Sequence, residues 1–139
     1  MLVVVDSNRF ISALLSKGTV FDIFILNESL KKIKFISPEY LFNEIGRNLG
    51  EIIKRSKLFP EGISEVFELL KRQIELVPLE EFNNFLKVAE ELSPHEKDIQ
   101  YFSLALSNNC CIWSNEKAFK EQSKIGILSD KDLLDILSN

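Results

Sequence analysis

Val3-Val4-Val5 is a β-branched run closed by Asp6-Ser7-Asn8, and Cys110-Cys111-Ile112-Trp113, closed by Ser114-Asn115-Glu116, repeats the arrangement near the other end of the chain. A short apolar run ended by polar turn formers reads as a buried strand of a parallel sheet. Such a sheet needs helices on both faces, which narrows the folds open to the chain to the α/β class. Ligands of open α/β sheets sit just beyond the carboxyl ends of the strands, so the acids that close these two runs, Asp6 and Glu116, are expected at one crevice.

Between the two runs, strand and helix patterns alternate. Arg9 to Leu15 reads as a helix. Gly18 stops it, and Thr19 is expected to cap a second helix through Phe21, Phe24 and Ile25. Ile33 to Ile36 is a short strand, and Ser37-Pro38-Glu39 reads as a helix start, with Ser37 as N-cap and Pro38 in the first turn. That helix should carry Leu41, Ile45, Leu49 and Ile52 inward. Phe59-Pro60-Glu61-Gly62 breaks the chain, and Ile63, Val66, Phe67 and Leu70 mark another amphipathic helix. Ile74 to Val77 is a third strand, and Phe82, Phe85, Leu86 and Ala89 share one helical face. A helix from about Glu96 to Asn108 leads into the strand ending at Trp113, and Ile125 to Leu128 is the last strand. Ser129-Asp130-Lys131-Asp132 resembles a capping box opening a terminal helix through Leu133, Leu134 and Leu137. The expected fold is a three-layer α/β sandwich, a central parallel sheet with helices on both faces.

The length of 139 residues fits one domain, 1–139, large enough to bury a core without staples. Leu2 to Val5 is too short for a signal peptide or a membrane span, so the expectation is a cytoplasmic protein without a membrane partner. The two cysteines, Cys110 and Cys111, are strand neighbours pointing opposite ways, and packing is their expected role. A net charge of −4 argues mildly against a nucleic-acid partner. Between Lys31 and Lys57, however, Lys31, Lys32, Lys34, Arg47, Lys54, Arg55 and Lys57 outnumber Glu39, Glu44 and Glu51. A strip of positive potential and an ordinary solvated helical face fit that run equally well.

Four acids stand where chemistry is conceivable: Asp6 and Glu116 at strand ends, Glu44 at the border of a helical apolar stripe, and Asp98 on a stripe with Tyr101, Phe102 and Ala105. Each has a structural use as well. Asp98 can match the charge of a helix N-terminus, Glu44 can pair with Arg47 or Lys54, and Asp6 can cap the helix that follows it. Acids that converge repel one another and lose hydration, and a bound cation offsets that cost. An oxygen-only cluster suits Mg²⁺ or Mn²⁺. His95, the only histidine, is expected to be an ordinary surface residue. No glycine-rich phosphate loop is present.

Taken in order, three segments resemble the signatures of the PIN domain family of metal-dependent ribonucleases. Val4-Val5-Asp6-Ser7-Asn8 with Ile11-Ser12-Ala13-Leu14 looks like its opening motif, Lys97-Asp98-Ile99-Gln100-Tyr101-Phe102-Ser103-Leu104-Ala105-Leu106 like its second, and Ile112-Trp113-Ser114-Asn115-Glu116-Lys117-Ala118-Phe119 like its third. Glu44 falls where the family has its helical glutamate. The resemblance implies an endoribonuclease acting on single-stranded RNA and leaving a 5′-phosphate, with Asp6, Glu44, Asp98 and Glu116 around one or two Mg²⁺ or Mn²⁺ ions. Ser7, Asn8, Ser114 and Asn115 would orient ligands or contact phosphate. It further implies a toxin-antitoxin role, with an antitoxin protein as partner, and a homodimer.

The chain departs from the family pattern at three positions. Glu116 stands where the family has aspartate, Ala118 stands at a second aspartate position, and Arg9 replaces an apolar residue. One methylene moves a carboxylate by about 1.5 Å, a displacement that can cost roughly a hundredfold in rate. Glu116 and Ala118 therefore sustain a rival reading, a weakened PIN-fold module that binds RNA or protein without turnover. Arg9 has three open roles: contact with substrate phosphate, pairing with a site acid, or exposure to solvent. A phosphatase of the haloacid-dehalogenase type needs an aspartate where Asn8 stands, and is set aside.

Overall fold

The computed structural model describes residues 1–139. The chain runs β1 (Leu2–Val5), α1 (Ser7–Leu15), α2 (Thr19–Leu30), β2 (Lys34–Pro38), α3 (Tyr40–Arg55), α4 (Pro60–Gln73), β3 (Ile74–Val77), α5 (Leu86–Leu92), α6 (Ile99–Asn108), β4 (Cys111–Trp113), β5 (Ile127–Leu128) and α7 (Asp130–Ser138). The strands pair in the order β3-β2-β1-β4-β5, every pair parallel. No single helix is long and apolar enough to cross a membrane.

The period-two geometry of strands explains the layers. Val3, Val5, Phe35 and Trp113 face one core, shared with α1, α2, α3, α4 and α7, while Val4, Ile36 and Ile112 face a second core built with α6 and Phe82, Ala89 and Phe119. β1 lies between β2 and β4, so both of its faces and both of its edges are covered and Val3, Val4 and Val5 are wholly buried. In the first core the ring centroids of Phe24 and Phe35 are 5.1 Å apart and those of Phe35 and Trp113 5.5 Å apart. Burying each such aromatic stabilises the fold by roughly 1.5–3 kcal/mol. The three-layer α/β sandwich expected from the sequence is the observed architecture.

Several local expectations need correction. Ser37 and Pro38 do not start a helix: they extend β2, where they pair with Leu76 and Val77 of β3, and Glu39 precedes α3 without a capping side-chain bond. The Ser37 hydroxyl instead donates to the Val5 carbonyl at 3.0 Å. Gly18, not Thr19, is the N-cap of α2. Leu49 does not face the core and is 45% exposed, because α3 projects past the body after Ile45 and touches it again only at Ile52. Phe82 is buried but Phe85 is 38% exposed, since two 3-10 turns, Leu79–Glu81 and Asn83–Phe85, replace the first part of that helix. Pro60 and Gly62 lie inside α4, Pro60 in the first turn where its missing N–H costs nothing.

The topology also fixes where a ligand can sit. From β1 the sheet grows one way through β2 and β3 and the other way through β4 and β5, so the order reverses between β1 and β4. The crevice outside the carboxyl ends of these two strands is the binding position of such sheets. The Asp6 amide donates to the Trp113 carbonyl at 3.0 Å, which extends the β1–β4 ladder into that crevice.

Candidate metal centre

Asp6, Glu44 and Asp98 arrive from three elements: Asp6 at the β1–α1 junction, Glu44 on the first turns of α3, and Asp98 at the entry to α6. All three are buried, at 4%, 9% and 5% exposure. Asp6 also caps α1, its Oδ1 accepting from the Ser7 amide at 2.8 Å, so the structural and chemical uses of this residue coexist.

The electrostatics show that the acids share one locality. The Asp6 carboxyl is raised from 3.8 to about 7, chiefly by burial, with the nearby Asp98 and Glu44 carboxylates adding to the rise and the hydrogen bonds from Ser114 and the Ser7 amide opposing it. Glu44 is raised by burial and by Asp98, against the lowering effects of Tyr101, Lys97 and Ser7. Asp98 is raised by burial and by Glu116, against the lowering effects of His95 and Lys97. Carboxylates kept dry and near one another resist ionisation, which is the condition a cation relieves.

Each buried acid also has its own side-chain donor. Ser114 Oγ donates to Asp6 Oδ2 at 2.7 Å, Tyr101 Oη donates to Glu44 Oε1 at 2.6 Å, and His95 Nδ1 lies 3.3 Å from Asp98 Oδ2. Glu116 and Asn115 are exposed. Glu116 reaches the centre through its backbone, its amide donating to Ser114 Oγ at 3.0 Å, and its carboxylate lies close enough to raise Asp98. Asn8 Nδ2 donates to Ser114 Oγ at 3.3 Å. Of the roles open to it from sequence, Arg9 neither faces solvent nor pairs with a candidate acid: it is 5% exposed and bonded to Asp130, an acid outside the candidate set.

Sequence reasoning missed Tyr101, Lys97 and Asp130 and set His95 aside as an ordinary surface residue. The i, i+3 spacing of Asp98 and Tyr101 on one helical face was a usable signal for Tyr101. The basic run from Lys31 to Lys57 does not form one strip. Lys31, Lys32 and Lys34 line a cleft of about 770 Å³ with Lys71 and Arg72 at the amino ends of the strands, where Lys34 pairs with Glu75 and Arg72 with Glu28. Lys57 precedes α4, whose carboxyl end forms that cleft, a helix length of about 20 Å away.

No group of three or more His, Cys, Asp or Glu side chains is arranged to grip a metal ion. The donor chemistry nevertheless fits a hard divalent cation. All candidate donors are oxygens, and Mg²⁺ is ordinarily held by one or two carboxylates, with water and substrate oxygens completing the shell.

A family model for the PIN domain matches residues 4–130 of the chain. The chain belongs to the PIN domain family. Members of the family are typically nucleases and generally use divalent metal ions. Among solved structures, this PIN domain is similar to a chain of the VapBC2 complex from Rickettsia felis, solved bound to a DNA fragment from their promoter. The two share 15% sequence identity at a TM-score of 0.63, over 93% of this chain and 98% of that one. That likeness is one of fold. No curated protein matches the chain in sequence.

Proposed function

We propose that this PIN domain is a divalent-metal-dependent endoribonuclease that hydrolyses single-stranded RNA, acting as the toxin of a toxin-antitoxin pair. One observation carries the reading: three acids, each nine-tenths buried or more, meet at the topological switch point of the sheet, where burial raises all three, Asp98 and Glu44 raise Asp6, and Asp98 raises Glu44. The fold shared with a chain of the VapBC2 complex supports an antitoxin protein as partner. A homodimer is part of the same proposal.

Asp6 and Asp98 would hold Mg²⁺ or Mn²⁺, with Glu44 and Glu116 flanking them. The ion, when bound, supplies Lewis acidity at the phosphoryl oxygens and makes an attacking water more acidic. The chain's own residues do the rest. Ser114 and the Ser7 amide hold the two oxygens of Asp6, Tyr101 holds Glu44, and His95 holds Asp98, which fixes the carboxylates before substrate arrives. Lys97 beside Glu44 and Asp98, with exposed Arg47, Lys54 and Arg55 on α3, offers cations to an RNA backbone.

Purified protein is expected to cut single-stranded RNA with Mn²⁺ or Mg²⁺, to stop in EDTA, and to lose the activity on Asp6→Asn or Asp98→Asn with the fold intact. Equal cleavage by both variants and the parent would refute the reading. The exposed Glu116 in place of an aspartate, with Ala118 at a second aspartate position, favours the rival module. That module would retain RNA in a binding assay with Mn²⁺ yet release no product.

A further inference from the structure

The buried polar groups beside Asp6 form a chain whose direction is dictated from its far end. Arg9 Nη1 donates to both carboxylate oxygens of Asp130 at 2.9 Å, and Arg9 Nε donates to Asn8 Oδ1 at 3.0 Å. Asp130 is held in turn by Trp113 Nε1, which donates to its Oδ1 at 2.8 Å. A guanidinium has donors only and stays protonated. The oxygen of the Asn8 amide must therefore face Arg9, and its nitrogen must face the other way, toward Ser114.

Ser114 Oγ accepts from that nitrogen at 3.3 Å and from the Glu116 amide at 3.0 Å. A serine hydroxyl has two acceptor positions and one proton. With both acceptor positions taken by N–H groups, the proton has one direction left, toward Asp6 Oδ2 at 2.7 Å.

We propose that Arg9, anchored by Asp130, is a positioning residue that sets the polarity of the chain Arg9–Asn8–Ser114–Asp6, so that Ser114 presents a proton and never a lone pair to Asp6. The consequence for metal binding rests on the nuclease reading, in which Asp6 is a ligand; the polarity of the chain does not. With Oδ2 held by Ser114 and Oδ1 by the Ser7 amide, the carboxylate is locked in one orientation. An apolar residue at position 9 would free the Asn8 amide to turn over. Its oxygen could then accept the Ser114 proton and leave Asp6 without its donor. The anchor lies 121 residues from Arg9, in the first turn of α7.

Two readouts test this, neither of them activity. The first is the exchange protection of the Asn8 side-chain amide protons, followed by NMR in metal-free protein. The second is Mn²⁺ affinity by calorimetry. Arg9→Met is expected to abolish the protection and to lower Mn²⁺ affinity by about tenfold or more. In a Ser114→Ala background the same change should lower Mn²⁺ affinity no further, because the link to Asp6 is already cut. Retained protection in Arg9→Met, or losses that add in the double variant, would overturn the proposal; additive losses mean that Arg9 acts by packing α1 against α7. If Arg9→Met does not fold, Arg9→Met with Asp130→Leu removes both charges and gives the same two readouts. A parent protein that binds no Mn²⁺ defeats the metal-centre reading, and the Asn8 protection alone then decides the polarity.

Discussion

Tyr101 Oη donates to Glu44 Oε1 at 2.6 Å, so the side chain one turn after Asp98 on α6 clamps a second acid of the same centre that arrives from α3. The phenol is wholly buried, and burial with the neighbouring Glu44 raises it far above its ordinary value, so it acts as a donor at every accessible pH. Tyr101→Phe keeps the ring and removes the donor, leaving a mostly buried carboxylate short of a partner. The expected cost is about 1–3 kcal/mol in urea unfolding of the metal-free protein. Glu44 should rise further, and Mn²⁺ affinity near neutral pH should fall. Unchanged stability together with unchanged affinity would show that the hydroxyl carries no load.

Asp6 makes the metal-free protein sensitive to pH. Its carboxyl ionises at about 7 in the fold against an ordinary 3.8. Across that window the native state holds more protons than the unfolded chain, so stability is present at acid pH, declines as pH rises, and levels off above the folded value. The loss attributable to Asp6 over the whole window is on the order of 4 kcal/mol. Glu44 and Asp98 are raised as well and act in the same direction. Denaturant titrations at about pH 5 and about pH 8 should therefore show the lower stability at the alkaline end, a difference that shrinks in Asp6→Asn and in saturating Mn²⁺. Stability that increases with pH would contradict the placement of Asp6.

Ser129 and Asp132 cap α7 reciprocally, at 3.1 Å and 2.8 Å. Ser129→Ala is expected to destabilise the protein by about 1 kcal/mol while leaving Mn²⁺ affinity unchanged, because neither capping bond reaches the metal centre. Thermal unfolding and calorimetry on one preparation check both halves. A fall in affinity would mean that loosening the first turn of α7 shifts Asp130 and disturbs Asp6 through Arg9.

That capping box was legible in the sequence because all of its bonds lie within three residues, and the same locality made β1, β3 and the α/β alternation readable. Ser37-Pro38-Glu39 carries a helix-start pattern of equal quality, yet the Ser37 hydroxyl is used by the Val5 carbonyl, 32 residues away, and pairing with β3 draws both Ser37 and Pro38 into the sheet. Leu49 failed for a different reason: helical periodicity gives the face of a residue but not whether the body of the protein extends far enough to cover it. In the centre, the acids could be singled out by their positions at strand ends and on apolar stripes. Of their donors, Ser114 was expected from the family resemblance and Tyr101 was marked by its helical spacing from Asp98, whereas His95 carried no such mark. The contacts of Arg9 with Asp130 and of Ser114 with Asp6 span 121 and 108 residues, and nothing local marks them.

Glu116 is the acid whose placement differs most from the other three. It is exposed, it lies between β4 and the 3-10 turn Lys117–Glu121, and its carboxylate raises Asp98 less than burial does. A flexible, solvated side chain must lose rotamer freedom to reach a cation, roughly 1.5–2 kcal/mol for a glutamate, so it contributes less than a buried acid already held in place. Glu116→Gln is accordingly expected to reduce RNA cleavage by about tenfold, against complete loss in Asp6→Asn. Stability should scarcely change, since surface substitutions usually fall within about 0.5 kcal/mol. Steady-state rates in Mn²⁺, with denaturant unfolding of the same samples, provide the comparison. A loss as deep as that of Asp6→Asn would show that Glu116 swings fully into the centre once a cation is bound.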